Sequence, residues 1–210
     1  MPWKKSEPME ERIDRLSTGR EAAALNEVWM VDFKGWWRNG DKRCEPLTVR
    51  DEYSRYLLEV RAVEDGRSET VRKSFERIFE RHGLPEAIRS DNGSPFASRQ
   101  GLLGLSRLSA WWVVLGIDLE RGRPGHPQDN AGHERMHKDI SCELEAVGEC
   151  AQDALDVWRE TFNYERPHEA LGMRCPGGSL PCFREKIRRH PRRFGLSKDV
   201  LSPGQPKGLN

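Results

Sequence analysis

The sequence has no long hydrophobic run. Its longest apolar stretch lies between Ala110 and Gly116, whereas a helix that spans a bilayer needs about 20 apolar residues. The N-terminus reads Met-Pro-Trp-Lys-Lys-Ser and contains no apolar segment of the kind found in signal peptides. These absences argue against a membrane protein and against a secreted protein. We expect a cytoplasmic location.

Cysteine pairs at metal-binding spacing are also missing. The five cysteines are odd in number and show no Cys-x-x-Cys spacing, which argues against both a disulfide framework and a structural zinc site. We therefore expect reduced thiols.

The chain as a whole has no large excess of positive or negative charge, because it contains 35 Lys and Arg residues and 34 Asp and Glu residues. The exception is the C-terminal segment, where basic residues are crowded between positions 184 and 198. Such a segment attracts nucleic acid, or is a solvated tail.

Aromatic residues are present in sufficient number to build a core, with seven Trp and seven Phe. We expect one domain over residues 26–176, preceded by a charged N-terminal segment or linker over residues 1–25, which includes a short helix near residues 10–15. A basic C-terminal tail is expected over residues 177–210.

The hydrophobic pattern predicts a mixture of strands and helices. Alternation predicts strands at 28–33, 47–50 and 56–63, with a hairpin turn at Asn39-Gly40. Apolar residues at helical spacing predict a helix that begins at Ser68 and ends at Gly83. After it we predict strands at 87–90 and 117–121. Further helices are predicted at 102–115, from a cap at Asp129 to about 145, and at 151–163. This order fits an α/β fold, a ribonuclease H-like mixed five-stranded sheet flanked by helices.

Three acidic residues stand out as candidates for catalysis. Asp32 lies within an otherwise apolar strand, where an ionised carboxylate is costly unless something such as a divalent cation neutralises it. Asp91 ends a strand within Ser-Asp-Asn-Gly, in which the glycine permits a positive φ, and Glu134 lies on a predicted helix. Neighbouring elements could bring the three together. Taken singly, each has a structural alternative as a turn former, ion-pair member or solvated helix residue.

A second pattern overlaps the third acid. His133-Glu134-Arg135-Met136-His137 matches H-E-x-x-H, in which two histidines bind zinc and the glutamate is the general base of a metallopeptidase. A zinc site of this kind needs a third ligand, for which Glu160 or Glu165 could be proposed. Since this interpretation leaves Asp32 and Asp91 unexplained, we regard it as a remote alternative.

Several motifs in one order resemble a known family. They are Asn26 to Gly35, Leu47 to Asp51 with Ser54-Arg55-Tyr56, His82 to Pro85, Arg89 to Gly93, Pro95-Phe96-Ala97, Gly125 to Gln128 with Asn130, Glu134 to His137, and Asn163 to Gly172. Over residues 26–176 the chain resembles the integrase catalytic core of bacterial insertion-sequence DDE transposases, which are relatives of the retroviral integrases.

The resemblance implies a function. It places the DDE triad on Asp32, Asp91 and Glu134, which would hold two Mg²⁺ (or Mn²⁺) ions, with Asp32 bridging both. The implied activity is metal-dependent phosphodiester hydrolysis and strand transfer during DNA transposition. The implied partners are transposon ends and target DNA, further copies of the chain, and a separate helix-turn-helix part, since residues 1–25 are too few to form one; the location would be the bacterial nucleoid. Asp129-Asn130-Ala131-Gly132 departs from relatives with glycine directly after the asparagine, so the start of the Glu134 helix is expected to pack differently.

Basic residues near the motifs are candidate DNA contacts. They are Lys34, Arg55, Arg89, Arg123, Arg135 and His137. Each arginine or lysine has surface ion pairing as its alternative. His133, His137 and His168 either contact DNA, order the helix of Glu134, or are structural histidines whose hydrogen bonds are satisfied within the fold. Two further functions stay open: a non-catalytic DNA-binding or dimerisation remnant of a transposase, and a magnesium-dependent nuclease of the same fold.

Overall fold

The structure, a computed structural model, describes residues 21–63, 65–121 and 131–179. The short helix expected near residues 10–15, Arg123, the Asp129 cap and nearly all of the basic tail lie outside the described residues. The strands are β1 Val28–Phe33, β2 Trp37–Asn39, β3 Lys42–Cys44, β4 Pro46–Asp51, β5 Leu57–Ala62, β6 Ala87–Ser90 and β7 Asp118–Arg121, and the α-helices are α1 Ser68–His82, α2 Arg107–Val114, α3 Ala131–Glu143 and α4 Gln152–Tyr164.

Five of the strands form one mixed sheet. Its order is β5-β4-β1-β6-β7, and β2 and β3 form a separate two-stranded hairpin. β1 pairs antiparallel with β4 and parallel with β6, while β7 is parallel to β6. The predicted mixed five-stranded sheet is therefore confirmed. The carboxyl ends of β1, β6 and β7 share one edge, where ligands of open α/β sheets bind.

Helices cover both faces of the sheet. α1 and α2 pack against one face through a cluster that includes Phe75 and Trp112, whose ring centroids are 4.8 Å apart. α3 and α4 cover the other face through Met136, Ile140 and Trp158. The alternation of side chains leaves the odd-numbered residues of β1 facing α1 and α2, so Asp32 faces the α3 side. Within the described part of the chain, each helix is too short or too polar to cross a bilayer.

The predicted helix over residues 102–115 is wrong in its first half. The chain there forms a 3₁₀ turn at Leu102–Gly104, in which Leu103 has a φ of 55°. A left-handed residue cannot continue an α-helix. The α-helix begins instead at Arg107, because the Ser106 side chain caps it by accepting a hydrogen bond from the Ser109 amide at 3.1 Å.

The expectation of reduced thiols throughout is corrected by a disulfide. Cys44 at the end of β3 is bonded to Cys150 in the turn before α4, with a Cα–Cα distance of 5.9 Å. The sequence alone did not reveal this pair because the two residues are 106 positions apart. The bond joins the β2–β3 hairpin to the turn after α3, and the Trp37 indole donates to the Glu149 carbonyl beside it at 3.2 Å. Cys142 and Cys175 are free thiols.

The stability of the fold is expected to fall in acid because of His82 at the end of α1. Burial, with help from Arg159 and Arg81, lowers the pKa of His82 from 6.5 to about 4. In the unfolded chain, His82 therefore binds a proton as the pH falls below 6.5, whereas in the folded chain it does so only near pH 4. Since one proton changes the free energy of unfolding by about 1.4 kcal/mol per pH unit, we expect His82 to account for a loss of about 3 kcal/mol over that interval.

Urea titrations between pH 7.5 and pH 4 measure this loss. His82→Gln should flatten the pH dependence of the free energy of unfolding by about one proton, since glutamine cannot titrate. The control His168→Gln should flatten it less, because the His168 imidazole is less buried and its pKa is lowered less. An equal slope in wild type and His82→Gln would contradict the prediction.

Candidate active site

Asp32 lies on β1, and Asp91 directly follows β6, the adjacent parallel strand. β1 and β6 pair with Trp29 opposite Ile88 and Met30 opposite Arg89. Continued by two residues, this register places Asp32 opposite Asp91, which directly follows β6. Asp32 is half-buried and Asp91 is exposed. Two of the three candidate acids are therefore side by side at the carboxyl edge of the parallel strands.

The loop that presents Asp91 is held by the last residue of β7. The Arg121 guanidinium donates to the Ser90 hydroxyl at 2.6 Å and to the Asp91 carbonyl at 3.1 Å, and it also donates to the Phe96 carbonyl at 2.9 Å. Burial lowers the pKa of Arg121, and Asp91 opposes that shift. A positive charge thus lies next to Asp91 while its donors are committed to the loop.

Gly93 leaves space for the Asp91 side chain and does not adopt a positive φ. The turn motif predicts a positive φ, but Gly93 is not among the residues that adopt one. A Cβ atom at Gly93 would instead come within 2.7 Å of Asp91 Oδ2. The glycine therefore leaves space for the carboxylate.

The main chain at Asp32 is tied to β4. Asp32 pairs with Thr48 across the two strands, and the Thr48 hydroxyl donates to the Asp32 carbonyl at 2.9 Å. The Phe33 amide donates to Asp32 Oδ1 at 2.8 Å. One carboxylate oxygen is thus oriented by the backbone of its own strand.

β4 also receives the first two turns of α3. The ring nitrogens Nε2 of His133 and His137 lie 2.8 and 2.9 Å from the Thr48 hydroxyl. A Cβ atom at Gly132 would approach Arg50 Nη1 to 2.8 Å, so the absence of a side chain lets the helix start lie on the buried Arg50 guanidinium. Glu134 lies on the exposed side of this turn.

Both histidines are neutral at physiological pH. Burial, with Arg50 and His137 adding to it, lowers the pKa of His133 well below its usual value. Burial, with Lys34 and Arg50, lowers the pKa of His137 to about 4. Each imidazole therefore has one N–H donor and one acceptor nitrogen.

Carboxylate oxygens suit Mg²⁺, and the donor set of this site is of that kind. The β1–β6 register, continued by two residues, brings Asp32 and Asp91 to the same level of the two segments. Within the part of the chain that the structure describes, however, no three His, Cys, Asp or Glu side chains converge closely enough to hold a metal ion. The residues fit magnesium in donor chemistry, and the helix that carries Glu134 contacts β4 through His133 and His137.

Some of the candidate DNA contacts form ion pairs within the protein, and others are exposed to solvent. Lys34 is buried in an ion pair with Glu145 and its ammonium lies 5.2 Å from the centre of the Trp37 ring. Arg55 pairs with Glu52 at 2.7 Å and keeps 30% of its side chain exposed. Arg135 is exposed on α3.

Arg89 has a role in the fold that the sequence did not reveal. Its guanidinium donates to Glu120 Oε2 through Nε at 3.0 Å and through Nη2 at 2.8 Å, and both side chains are less than 10% exposed. A phosphate could reach Arg89 only by breaking this buried pair. We therefore replace the interpretation of Arg89 as a DNA contact by a structural one.

The H-E-x-x-H histidines are used inside the protein. Their Nε2 atoms converge on one threonine hydroxyl rather than on an open position, and Glu160 and Glu165 belong to α4 and the turn after it. Because both nitrogens already have a partner, the arrangement does not favour zinc.

Three residues of the site escaped prediction from the sequence: Thr48, Arg50 and Arg121. Each is a polar residue on a strand, a pattern that fits a surface position equally well. Only strand pairing shows that Thr48 and Arg121 meet the segments of Asp32 and Asp91.

A cleft of about 550 Å³ opens beside the Asp91 loop. Its lining includes Asn92, Ser94, Arg99 and Arg107 and extends to the start of α1 at Ser68. The lining contains two arginines, Arg99 and Arg107, so the cleft carries positive charge that suits an anionic ligand.

The chain matches models of a known protein family along most of its length. A family model described as an integrase core domain matches residues 22–127, and a second model of the same description matches residues 115–176. The insertion element IS407 uncharacterized 31.7 kDa protein of Burkholderia multivorans is 30% identical over 169 residues, which are 75% of this chain and 57% of that protein. The insertion element IS476 uncharacterized 39.2 kDa protein of Xanthomonas euvesicatoria is 29% identical over 72% of this chain and 43% of that protein. The chain thus spans about half the length of these curated relatives.

A solved structure shares the fold. The HTLV-2 integrase catalytic core domain in complex with magnesium, in its trimeric form, superposes with a TM-score of 0.57 at 17% identity, covering 74% of this chain and 97% of that one. The ribonuclease H-like expectation is confirmed by this likeness. With two family models that together match residues 22–176, the chain belongs to the integrase core domain family.

Proposed function

We propose that this chain is the catalytic core of a DNA transposase, which hydrolyses phosphodiester bonds and transfers DNA strands with Asp32, Asp91 and Glu134 as its metal-holding acids. The observation that supports it best is the β1–β6 register, which puts Asp32 and Asp91 level at the carboxyl edge of the sheet. Family membership adds to it, since the two integrase core models match residues 22–127 and 115–176, which include all three acids.

The three acids would hold two Mg²⁺ or Mn²⁺ ions, which when bound activate the attacking oxygen and stabilise the leaving oxygen of a phosphodiester. Asp32 supplies a carboxylate oriented from β1, where the Phe33 amide occupies Oδ1 at 2.8 Å. Asp91 supplies a second from a loop that Arg121 keeps in place. Glu134 supplies the third from α3, whose first turns are seated on β4.

DNA would approach along the exposed side of this edge. The cleft beside the Asp91 loop contains Arg99 and Arg107, and Arg135 lies exposed on α3. These cations would bind backbone phosphates, which dominate affinity without reading sequence. Arg55 could join them by leaving Glu52, whereas Lys34 would have to leave its ion pair with Glu145. Arg123 and the basic tail stay candidates on sequence alone, and His137 is a DNA candidate only if its ring leaves Thr48.

The domain division at residues 25 and 176 and the assembly of the chain are also proposals. Transposon ends and target DNA would be joined by more than one copy of the core, with end recognition supplied by a separate helix-turn-helix part. The HTLV-2 integrase catalytic core domain has been solved in a trimeric form and in a dimeric form. Self-association of a core with this fold therefore has a precedent in that protein.

The test uses a branched DNA that mimics the product of strand transfer. Such a substrate asks the core only to reverse the joining step and does not need specific end recognition. We expect the purified chain to release and rejoin strands in Mg²⁺ or Mn²⁺, to do nothing in EDTA, and to lose the reaction in Asp91→Asn.

The other outcomes identify the alternatives. Cutting without rejoining would favour a magnesium-dependent nuclease of the same fold. Salt-sensitive DNA binding with no reaction in any metal, unchanged in Asp91→Asn, would favour a non-catalytic remnant and overturn the proposal.

A further inference from the structure

One hydroxyl connects β1 to the first two turns of α3. Thr48 Oγ1 lies 2.9 Å from the Asp32 carbonyl, 2.8 Å from His133 Nε2 and 2.9 Å from His137 Nε2. Thr48 itself is fully buried and so is His133. The two imidazoles meet edge to face, with ring centroids 4.9 Å apart.

The chemistry of a hydroxyl decides the direction of all three hydrogen bonds. A threonine hydroxyl has one hydrogen and two lone pairs. A carbonyl can only accept, so the single hydrogen goes to Asp32, and both ring nitrogens must donate to the oxygen. Consistent with this, Nδ1 of His133, the acceptor nitrogen of that tautomer, has no hydrogen-bond partner among the described residues. The one hydrogen and both lone pairs of the hydroxyl thus have partners.

These bonds link the two backbones that present metal-holding acids. On one side is the carbonyl of Asp32 itself. On the other are His133 and His137, one helical turn apart, with Glu134 directly after the first of them. An i, i+4 pair held at a single point fixes both the rotation of a helix and its position along its axis.

We propose that Thr48 is a positioning residue of the active site, whose hydroxyl fixes the first turns of α3, and with them Glu134, relative to the main chain of Asp32. The inference rests on the proposed function in that it assigns Glu134 to the metal site. It goes further by naming what sets the distance between the first and third acids, which are 102 positions apart in the sequence.

A packing role alone would make different demands on position 48. Arg50 already supports the same turn of α3 through its close approach to Gly132. If Thr48 only filled space, valine would serve equally well, because it has the same shape without the hydroxyl. Serine keeps the hydroxyl and loses only a methyl group. Comparing Thr48→Val with Thr48→Ser therefore separates the effect of losing the hydrogen bonds from the effect of losing side-chain volume.

A matched control lies at the next position of β4. Val49 is fully buried and faces the opposite cluster, that of α1 and α2. Val49→Thr is the reverse isosteric change, and it places an unpaired hydroxyl in the core without touching either histidine. Val49→Thr should destabilise the core around β4, as a polar group without a partner does, and it leaves the hydrogen bonds of Thr48 to α3 intact.

Two measurements do not depend on catalysis. In proton NMR, the wild type and Thr48→Ser should show two slowly exchanging imidazole N–H signals, which Thr48→Val should lose and Val49→Thr should keep. In hydrogen exchange, the backbone amides of residues 131–137 should exchange faster in Thr48→Val, whereas those of α4 should not. A third measurement is the branched-DNA reaction, in which Thr48→Val should lose about 10-fold to 100-fold in rate or in apparent Mg²⁺ affinity, the usual effect of removing a residue that orients a ligand.

The outcomes separate this inference from the proposed function. If the wild type does not react but the N–H signals and the exchange behave as expected, the proposed function fails and the anchoring of α3 by Thr48 stands. If the wild type reacts and Thr48→Val behaves like Val49→Thr in rate, Mg²⁺ dependence and exchange, the positioning role is overturned. Loss of the N–H signals with both the rate and the Mg²⁺ dependence unchanged would also overturn it.

Discussion

Replacing Asp32 or Asp91 by asparagine, or Glu134 by glutamine, is expected to lower the rate of strand rejoining by about a thousandfold. Metal ions stabilise the charge of a phosphoryl-transfer transition state by several kcal/mol, and about 1.4 kcal/mol corresponds to a factor of ten. Each change keeps the shape of the side chain and removes one anionic ligand. Because residues of a metal site act as a unit, the double variant Asp32→Asn/Asp91→Asn should be little worse than either single one.

The controls for this prediction remove a carboxylate elsewhere. Asp41 in the turn of the hairpin and Glu80 on α1 are both exposed, so Asp41→Asn and Glu80→Gln change the net charge equally without approaching the carboxyl edge of the sheet. Gel assays with branched DNA give the rates, and calorimetric Mn²⁺ titration gives metal binding. Full activity in Glu134→Gln would remove that residue from the triad, and the absence of Mn²⁺ binding by the wild type would argue against the whole site.

The second large effect is expected on stability, at the buried pair of Arg89 and Glu120. These residues stand directly opposite each other on β6 and β7 and are joined by two hydrogen bonds. Arg89→Met would leave the Glu120 carboxylate buried without this cation, which costs about 3 to 5 kcal/mol in comparable sites. The free energy of unfolding in urea should fall by that amount, and the Asp91 loop next to β6 should become more susceptible to proteolysis.

A double variant and an exposed pair serve as controls. Arg89→Met/Glu120→Leu should recover much of the loss, because no uncompensated charge is then left inside. Arg107→Met breaks the pair of Arg107 with Glu69, whose side chains are 90% and 67% exposed, and it should change the free energy of unfolding by less than about 1 kcal/mol. If Arg89→Met were no more harmful than Arg107→Met, the pair would not support the fold as argued.

The pattern of the sequence determined the elements and the candidates. Alternation in β1 and helical spacing in α1 predicted both within a residue, because each element has a buried face whose period is local to it. The fold class followed from the order of hairpins and crossovers. Asp32 stood out since a carboxylate in an apolar strand requires a compensating partner, and Asp91 and Glu134 followed from motifs within a few residues of each.

Only the tertiary structure decided how those candidates are held. The partners of Thr48, Arg121 and Arg89 come from segments that are distant in sequence. A polar residue on a strand gives no sign of whether it faces solvent or a buried partner. The Cys44–Cys150 bond escaped for the same reason. The start of the helix at Arg107 was predicted five residues too early, because hydrophobicity alone does not show that Leu103 has a positive φ or that Ser106 caps the helix. Local periodicity specifies which surface of an element is buried, whereas register and packing specify what that surface meets.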